Sequence, residues 1–210
     1  GKCFGCPAAS TLFEQKNKAQ ARMITGMGPG RQFLWVGRLN SNKDPLTVLA
    51  AFEKYFENRP DEKLYMIYQE ADLLEEVQNR ISRHPLLLRQ VVLLGKKDHA
   101  EIETWLNAAD YFISASHYEG GSFAIMEAMA CAAVPVVSNI PPSLQAVQEG
   151  KLGYVFEKGN SGDLYRVLCA IDSNELPGRS AACRRFFENE MSPMAIASRL
   201  LQIAGHIKSK

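Results

Sequence analysis

Short apolar runs alternate along this chain with longer segments in which apolar residues recur at the period of a helix. From residue 33 onwards, six runs rich in β-branched and aromatic residues are predicted to be strands. Because these runs are apolar throughout, both faces of their sheet should be covered, which is typical of parallel sheets. The predicted strands are residues 33–37, 63–68, 91–95, 111–116, 134–139 and 153–157.

The segments between these runs are predicted to be helices, and Pro45 stands at the first turn of one of them, where proline is favoured. Strands that alternate regularly with helices predict an α/β fold with a Rossmann-like, doubly wound parallel sheet. The predicted helices are residues 45–59, 72–83, 99–109, 123–133, 142–149, 161–172 and 180–190, followed by a C-terminal helix within 192–210 that begins near Pro193.

The first 30 residues carry no clear pattern. The stretch "GMGPG" (26–30) resembles a dinucleotide-binding glycine loop, but it precedes a strand instead of following one. We therefore interpret it as a turn that leads into that strand. No internal repeat or linker divides the chain, so we expect residues 1–210 to form a single domain.

The composition narrows the classes of function. With 210 residues, of which 46% are hydrophobic and 22% charged, the chain can bury one core. Its 24 basic and 23 acidic residues give a net charge near +1, which argues against nucleic acid as a partner. The longest apolar run, residues 128–137, contains Pro135 and is far shorter than the roughly 20 residues that span a bilayer.

The five cysteines are odd in number, and two of them lie inside apolar helical patterns, which fits a reducing compartment. The expected localisation is therefore cytoplasmic. Cys3 and Cys6 have the spacing of a redox or zinc pair, but no second pair accompanies them, so no metal site is predicted. The chain opens on Gly1 without a leader, and we expect it to be part of a longer protein.

Three loops follow predicted strands at the position where ligands bind in open α/β sheets, outside the carboxyl ends of the strands. They are "GRLNSNKDP" (37–45), "GKKDH" (95–99) and "SHYEGGS" (116–122). These loops are the candidate binding site.

The third loop combines two acids with small residues at a helix start. Gly120 and Gly121 permit positive φ or close approach to a ligand, and Ser122 is of a type that caps helices. The exposed amides of a helix start bind anions. Glu119 and Glu127 would suit sugar hydroxyls on either side of a diphosphate, because an ionised carboxylate only accepts hydrogen bonds. The alternative is that both are ordinary polar positions, with Glu127 on the helix surface.

Arg38 and Lys43 supply positive charge in the first loop. An arginine at a strand end with a lysine nearby can neutralise a diphosphate without a metal ion, although a solvated basic loop would have the same residues. Lys96 and Lys97 could line the same crevice, and solvated lysines are at least as common. His117 has no partner at metal spacing and is interpreted as a loop residue.

With these loops in place, the sequence resembles the donor-binding half of retaining glycosyltransferases of family 4, also called group 1. The resemblance covers about residues 31–170. The family's Gly-Arg-Leu motif, with a lysine five residues after the arginine, corresponds to "VGRLNSNKDPLTVLAAF". Its signature of two glutamates separated by seven residues corresponds to "EGGSFAIME". Where the family's second strand ends in glycines, this chain has "YQEAD" (68–72).

The resemblance implies the C-terminal half of a GT-B fold and a role for each motif residue. Arg38 and Lys43 would bind the diphosphate, Glu119 the hydroxyls of the donor sugar, and Glu127 the ribose, with Arg38, Lys43 and Glu119 as the catalytic set. Further nucleotide-sugar-binding residues would be Gly37, Gly95, Lys96, Gly120, Gly121, Ser122 and Phe123.

The function implied is transfer of a sugar, with retention at the anomeric carbon, from a nucleoside diphosphate sugar to an unknown acceptor. The donor is expected to be a UDP or GDP sugar, and neither a cofactor nor a metal is expected. An acceptor-binding half would precede this one, and it could contact the membrane face peripherally. Without that half, the isolated chain should be inactive. The alternatives are a non-catalytic nucleotide-sugar-binding module, or a subunit that needs a separate acceptor-binding chain, and a sugar-nucleotide epimerase of the same fold.

Overall fold

A computed structural model describes residues 10–121 and 123–208, with side chains as far as residue 205. Six parallel strands form one sheet in the order β3-β2-β1-β4-β5-β6. This is the strand order of the doubly wound Rossmann arrangement, so the predicted fold class is confirmed. The strands are β1 (Gln32–Gly37), β2 (Lys63–Tyr68), β3 (Val91–Gly95), β4 (Tyr111–Ser114), β5 (Val134–Ser138) and β6 (Tyr154–Phe156).

Helices connect the strands, and two of them were not predicted from the sequence. One is α1 (Lys18–Thr25), which Gly26 closes in the left-handed conformation with a φ of 72°. The other is the short helix α4 (Pro85–Gln90) that precedes β3. The remaining helices are α2 (Pro45–Tyr55), α3 (Leu74–Arg83), α5 (His99–Ala108), α6 (Phe123–Ala130), α7 (Pro141–Ala146), α8 (Ser161–Ala170), α9 (Leu176–Phe186) and α10 (Pro193–Lys208), with 3₁₀ turns at Phe56–Asn58 and Ser173–Glu175 and a π-helical segment at Phe187–Met191.

Several predicted boundaries were wrong for local reasons. The strand predicted over 111–116 ends at Ser114. Beyond it the Ser116 hydroxyl bonds to the Glu119 carboxylate and the His117 amide bonds to the Asn42 carbonyl, so the chain leaves the ladder here. The helix predicted over 123–133 ends at Ala130, and Ala132 adopts a φ of 60° that turns the chain into β5. The helix predicted over 180–190 already begins at Leu176, with a proline in its first turn.

A cluster of aromatic side chains holds helix α2 against the sheet. Phe33 of β1 is fully buried, and its ring lies 5.1 Å from Phe52, 5.6 Å from Tyr55 and 5.3 Å from Tyr111. Phe52 and Tyr55 come from α2, whereas Tyr111 comes from β4. β1 and β4 pair in parallel with Phe33 opposite Tyr111, so their carboxyl ends lie side by side.

The N-terminal segment is tied to the sheet by one buried carboxylate. Asp110 immediately precedes β4, and its side chain is 7% exposed. It contacts Lys18 at 2.9 Å and Arg22 at 2.6 Å, both from α1, and it accepts from the amide of Gln32 at 2.9 Å. Residues 26–30 connect α1 to β1, as interpreted from the sequence.

Candidate functional site

The candidate site lies where the strand order reverses, between β1 and β4. From these adjacent strands the chain winds to opposite sides of the sheet, to β2 on one side and to β5 on the other. A crevice therefore opens beyond their carboxyl ends, which is where doubly wound folds bind ligands. The two loops that line it cover residues 38–44 and 115–121, as the motifs predicted.

Asn42 joins these two loops. Its carbonyl accepts from the amide of His117 at 2.8 Å, and its side chain both accepts from the Tyr118 amide at 3.0 Å and donates to the Tyr118 carbonyl at 3.1 Å. His117 Nε2 also lies 2.8 Å from Asp44 Oδ2. Sequence patterns assign no role to Asn42 or Asp44 and indicate only a loop position for His117. The structure shows that these side chains fix one loop against the other.

Lys43 is predicted to bind the diphosphate and Glu119 the donor sugar. In the structure these two side chains are in direct contact. Lys43 Nζ forms an ion pair with Glu119 Oε1, and the same oxygen accepts from Ser116 Oγ at 2.6 Å. The side chains of Lys43 and Glu119 are 24% and 20% exposed. The motifs are 76 residues apart along the chain, and only the meeting of the loops brings these two charges together.

Gly37 makes room for this lysine. A Cβ atom at position 37 would lie 3.1 Å from the ring of Trp35 and 3.4 Å from Cγ of Lys43. Any larger residue would press on both side chains. The glycine of the first motif thus fits a packing requirement at the end of β1.

Arg38 lies at the same edge and is paired with an acid from the neighbouring loop. Its Nε is 3.4 Å from Glu70 Oε1, and both side chains are more than half exposed. The carbonyl of Glu70 also accepts from the Leu39 amide at 2.7 Å. Glu70 belongs to the "YQEAD" stretch that replaces the family's glycines, so this departure supplies Arg38 with a counter-charge.

The side chain of Glu127 is largely shielded from solvent and does not lie exposed on the helix surface. Its side chain is 16% exposed, and Oε1 lies 2.9 Å from Nε2 of His99, whose own side chain is 70% exposed. His99 is the first residue of α5, and its ring lies 4.4 Å from that of Phe13. The loop after β3 therefore approaches Glu127 through His99, a contact that nothing in the sequence indicated.

The sequence allows Gly120 and Gly121 either a positive φ or close approach to a ligand. Neither adopts a positive φ, since the glycines with positive φ among the described residues are Gly26, Gly95, Gly150 and Gly159. A Cβ at position 120 or 121 would meet no protein atom within 4 Å. Both glycines therefore border open space at the start of α6. Ser122, predicted to cap that helix, lies outside the described residues.

The last predicted positions lie at the start of α6 and around the end of β3. Phe123 is the first residue of α6 and is 48% exposed. Gly95 ends β3 with a φ of 67°, a conformation that favours glycine. Lys96 is exposed, whereas Lys97 pairs with Glu101 at 3.1 Å.

Two of the three cysteines within the described residues are buried packing groups, and Cys169 is exposed. Cys131, Cys169 and Cys183 are free. Burial raises the pKa of the Cys131 thiol, and the negative charges of Glu103 and Glu127 raise it further. Burial also raises the pKa of Cys183, to about 12. The two buried thiols therefore stay protonated at neutral pH and are poor nucleophiles. Cys3 and Cys6 lie outside the described residues.

Within residues 10–121 and 123–208, no group of three or more His, Cys, Asp or Glu side chains is placed to hold a metal ion. No helix in the same range is both long enough and apolar enough to cross a membrane.

Relatives of established activity resemble this chain over most of its length. It is 25% identical over 181 residues to a GDP-mannose:cellobiosyl-diphosphopolyprenol alpha-mannosyltransferase of Xanthomonas oryzae pv. oryzae, covering 83% of this chain and 48% of that protein. A UDP-Gal:alpha-D-GlcNAc-diphosphoundecaprenol alpha-1,3-galactosyltransferase of Escherichia coli is 28% identical, with 75% and 41% covered. Glycogen synthase of Mycobacterium tuberculosis is 31% identical, with 84% and 42% covered. The chain spans less than half the length of these relatives.

Solved structures share the fold. The C-terminal domain of the group 1 glycosyl transferase LpcC from Francisella tularensis superposes with a TM-score of 0.79 at 19% identity, covering 87% of this chain and 97% of that one. HepE from Anabaena, solved in complex with UDP-glucose, superposes with a TM-score of 0.77 at 20% identity, covering 95% of this chain and 55% of that one. The fold is thus that of the C-terminal domain of a GT-B enzyme. Residues 20–185 match the family described as "Glycosyl transferases group 1", and the chain therefore belongs to that family.

Proposed function

We propose that this chain is the donor-binding domain of a glycosyltransferase that transfers a sugar, with retention, from a nucleoside diphosphate sugar. The observation that carries the proposal is the meeting of Lys43 and Glu119 at the switch point of the sheet. A cation suited to a diphosphate and a carboxylate suited to sugar hydroxyls stand side by side, as a ligand with both groups requires. The start of α6 adds main-chain amides to the same crevice.

The comparisons support a UDP or GDP sugar as the donor. HepE was solved with UDP and with UDP-glucose, and two of the relatives are named for GDP-mannose and UDP-Gal. In this proposal Glu127 accepts from the ribose hydroxyls, and the loop at Gly95 and Lys96 passes beside the base. The contact between His99 and Glu127 brings that loop to the ribose position.

The main catalytic task assigned to this domain is stabilisation of the departing diphosphate. Charge grows on this group in the transition state, and fixed cations and amides stabilise it most effectively because they need no reorganisation. Arg38 and Lys43 supply the cations. Glu119 positions the donor sugar and does not act as a nucleophile, so the acceptor would attack from the face that the diphosphate leaves.

The acceptor site is assigned to a part of the enzyme that precedes this domain. The relatives are about twice as long as this chain, which supports a second half of similar size. Two relatives are named for acceptors linked to a diphosphopolyprenol or diphosphoundecaprenol, which supports a peripheral membrane contact through that half. The cytoplasmic location stays a prediction. A separate acceptor-binding chain remains the second candidate. The length of the gene upstream of residue 1 would distinguish the two candidates, because a single-chain enzyme encodes its acceptor half there and a separate subunit does not.

We expect the chain to bind UDP or GDP without a divalent metal, because Arg38, Lys43 and the start of α6 provide the positive potential. Calorimetric titration with UDP, GDP and their sugar derivatives, in buffer containing a chelator, tests this. The affinity should be unchanged when magnesium or manganese replaces the chelator. Binding that appears only with the metal would contradict the proposed diphosphate site.

Replacing Glu127 with alanine should weaken the nucleoside diphosphate and its sugar derivative to the same extent, since both contain the ribose. Loss of a charge-assisted hydrogen bond predicts about tenfold weaker binding of each. Glu57→Ala is a matched control. Glu57 is an exposed residue of the 3₁₀ turn after α2, at the edge of the sheet opposite the candidate site. If Glu127→Ala bound both ligands as tightly as this control, the ribose assignment would be wrong.

A further inference from the structure

The hydroxyl of Ser116 lies against the carboxylate assigned to the donor sugar. Ser116 Oγ donates to Glu119 Oε1 at 2.6 Å, and Ser116 is fully buried. Neither the motifs nor the resemblance gave this serine a role. A buried hydroxyl on a carboxylate forms one of the stronger hydrogen bonds in proteins, because the acceptor is charged.

The sheet holds Ser116 in place. Its carbonyl accepts from Ser138 Oγ at 2.6 Å, and Ser138 is the fully buried last residue of β5. A chain of two hydrogen bonds thus runs from β5 through Ser116 to Glu119. The Glu119 carboxylate belongs to an exposed loop, but these hydrogen bonds fix its orientation relative to the buried strand β5.

The two donors that reach Glu119 share one oxygen. Ser116 Oγ and Lys43 Nζ both contact Oε1, and within the described part of the chain no hydrogen bond reaches Oε2. The Glu119 side chain is 20% exposed, so part of it is open to solvent. Because each carboxylate oxygen can accept hydrogen bonds, Oε2 is the acceptor that a sugar hydroxyl would use.

We propose that Ser116 is a positioning residue that turns Glu119 so that Oε2 faces the donor sugar, and that it thereby sets the affinity for the sugar and not for the nucleotide. This inference rests on the proposed donor-binding function. Lys43 alone would leave the carboxylate free to rotate about its ion pair, because an ammonium group has no preferred direction for its partner. The serine hydroxyl supplies the second fixed point that defines one orientation.

Ser116→Ala tests the proposal by calorimetric titration with UDP, GDP, UDP-glucose and GDP-mannose. For the base that the wild-type chain binds, we expect the sugar nucleotide to bind about tenfold more weakly, as for loss of one well-placed hydrogen bond to a charged group. The free diphosphate should bind within about twofold of wild type. Ser143→Ala is the matched control, since Ser143 is another fully buried serine and its hydroxyl has no hydrogen-bond partner in the described chain.

A double-mutant cycle with Glu119→Ala separates positioning from general structural damage. If Ser116 acts through Glu119, adding Ser116→Ala to Glu119→Ala should cause no further loss of sugar-nucleotide affinity. Additive losses, equal losses for both ligands, or no loss at all would overturn the role of Ser116. Wild-type chain that binds none of the four ligands would overturn the donor-binding function and this inference with it, so the two failures are distinguishable.

Discussion

Lys43→Ala should weaken binding of UDP or GDP by about a hundredfold, the largest effect on affinity expected for a single substitution in the site. The loss has two parts. The diphosphate loses a cation, and Glu119 is left as an uncompensated negative charge, 20% exposed, beside the anion. Two like charges at short range in a partly shielded site repel each other, which adds to the lost attraction.

Lys54→Ala provides the control, because Lys54 is an exposed lysine in the last turn of α2 and belongs to none of the three candidate loops. It should leave the affinity within about twofold of wild type. Raising the salt concentration should reduce the difference between wild type and Lys43→Ala, since screening weakens both the attraction and the repulsion. Equal affinities of the two lysine variants would rule out Lys43 as a diphosphate ligand.

Asp110→Ala should lower the free energy of unfolding by about 3–5 kcal/mol, which is the typical cost of removing one partner of a buried ion pair. The substitution removes the common partner of Lys18, Arg22 and the Gln32 amide. Arg22 would be the main source of the loss, because its side chain is only 18% exposed and would keep its charge without that carboxylate. The segment that carries α1 should detach most readily.

Urea denaturation followed by circular dichroism measures this loss. Glu190→Ala is the comparison, because Glu190 pairs with Arg199 at 3.4 Å and both side chains are about half exposed. Exposed pairs contribute little, so this variant should lose less than about 1 kcal/mol. Asp110→Ala with a stability equal to that of Glu190→Ala would show that the Asp110 cluster does not anchor the N-terminal segment.

The order of strands and helices was predictable because it depends on local pattern. Continuous apolar runs such as residues 33–37 can be satisfied only between two covering layers, and this requirement can be read along the chain. Helix α1 escaped prediction for the opposite reason. Half of its residues are polar, only Ala21 is buried, and its ion-pair partner Asp110 lies almost 90 residues away.

The candidate site also has a part that the sequence indicates and a part that only the structure shows. Motif spacing together with the family resemblance selected Arg38, Lys43, Glu119 and Glu127 as ligand-binding residues, and their roles stay predictions. The spacing could not show that Lys43 and Glu119 pair with each other, nor that Glu70 and His99 are the partners of Arg38 and Glu127.

By itself, the sequence determined the α/β class, the parallel sheet and the loops in which a ligand would lie. These properties follow from periodicity and from the rule that ligands bind at the carboxyl ends of strands. The tertiary structure alone decided which polar groups meet in those loops. Asn42 reaches Tyr118, and Ser116 reaches both Glu119 and β5, because the sheet order places β1 and β5 on either side of β4. Hydrogen bonds of this kind form only when donor and acceptor lie about 2.5–3.2 Å apart, and no pattern along the chain encodes such a distance between two loops.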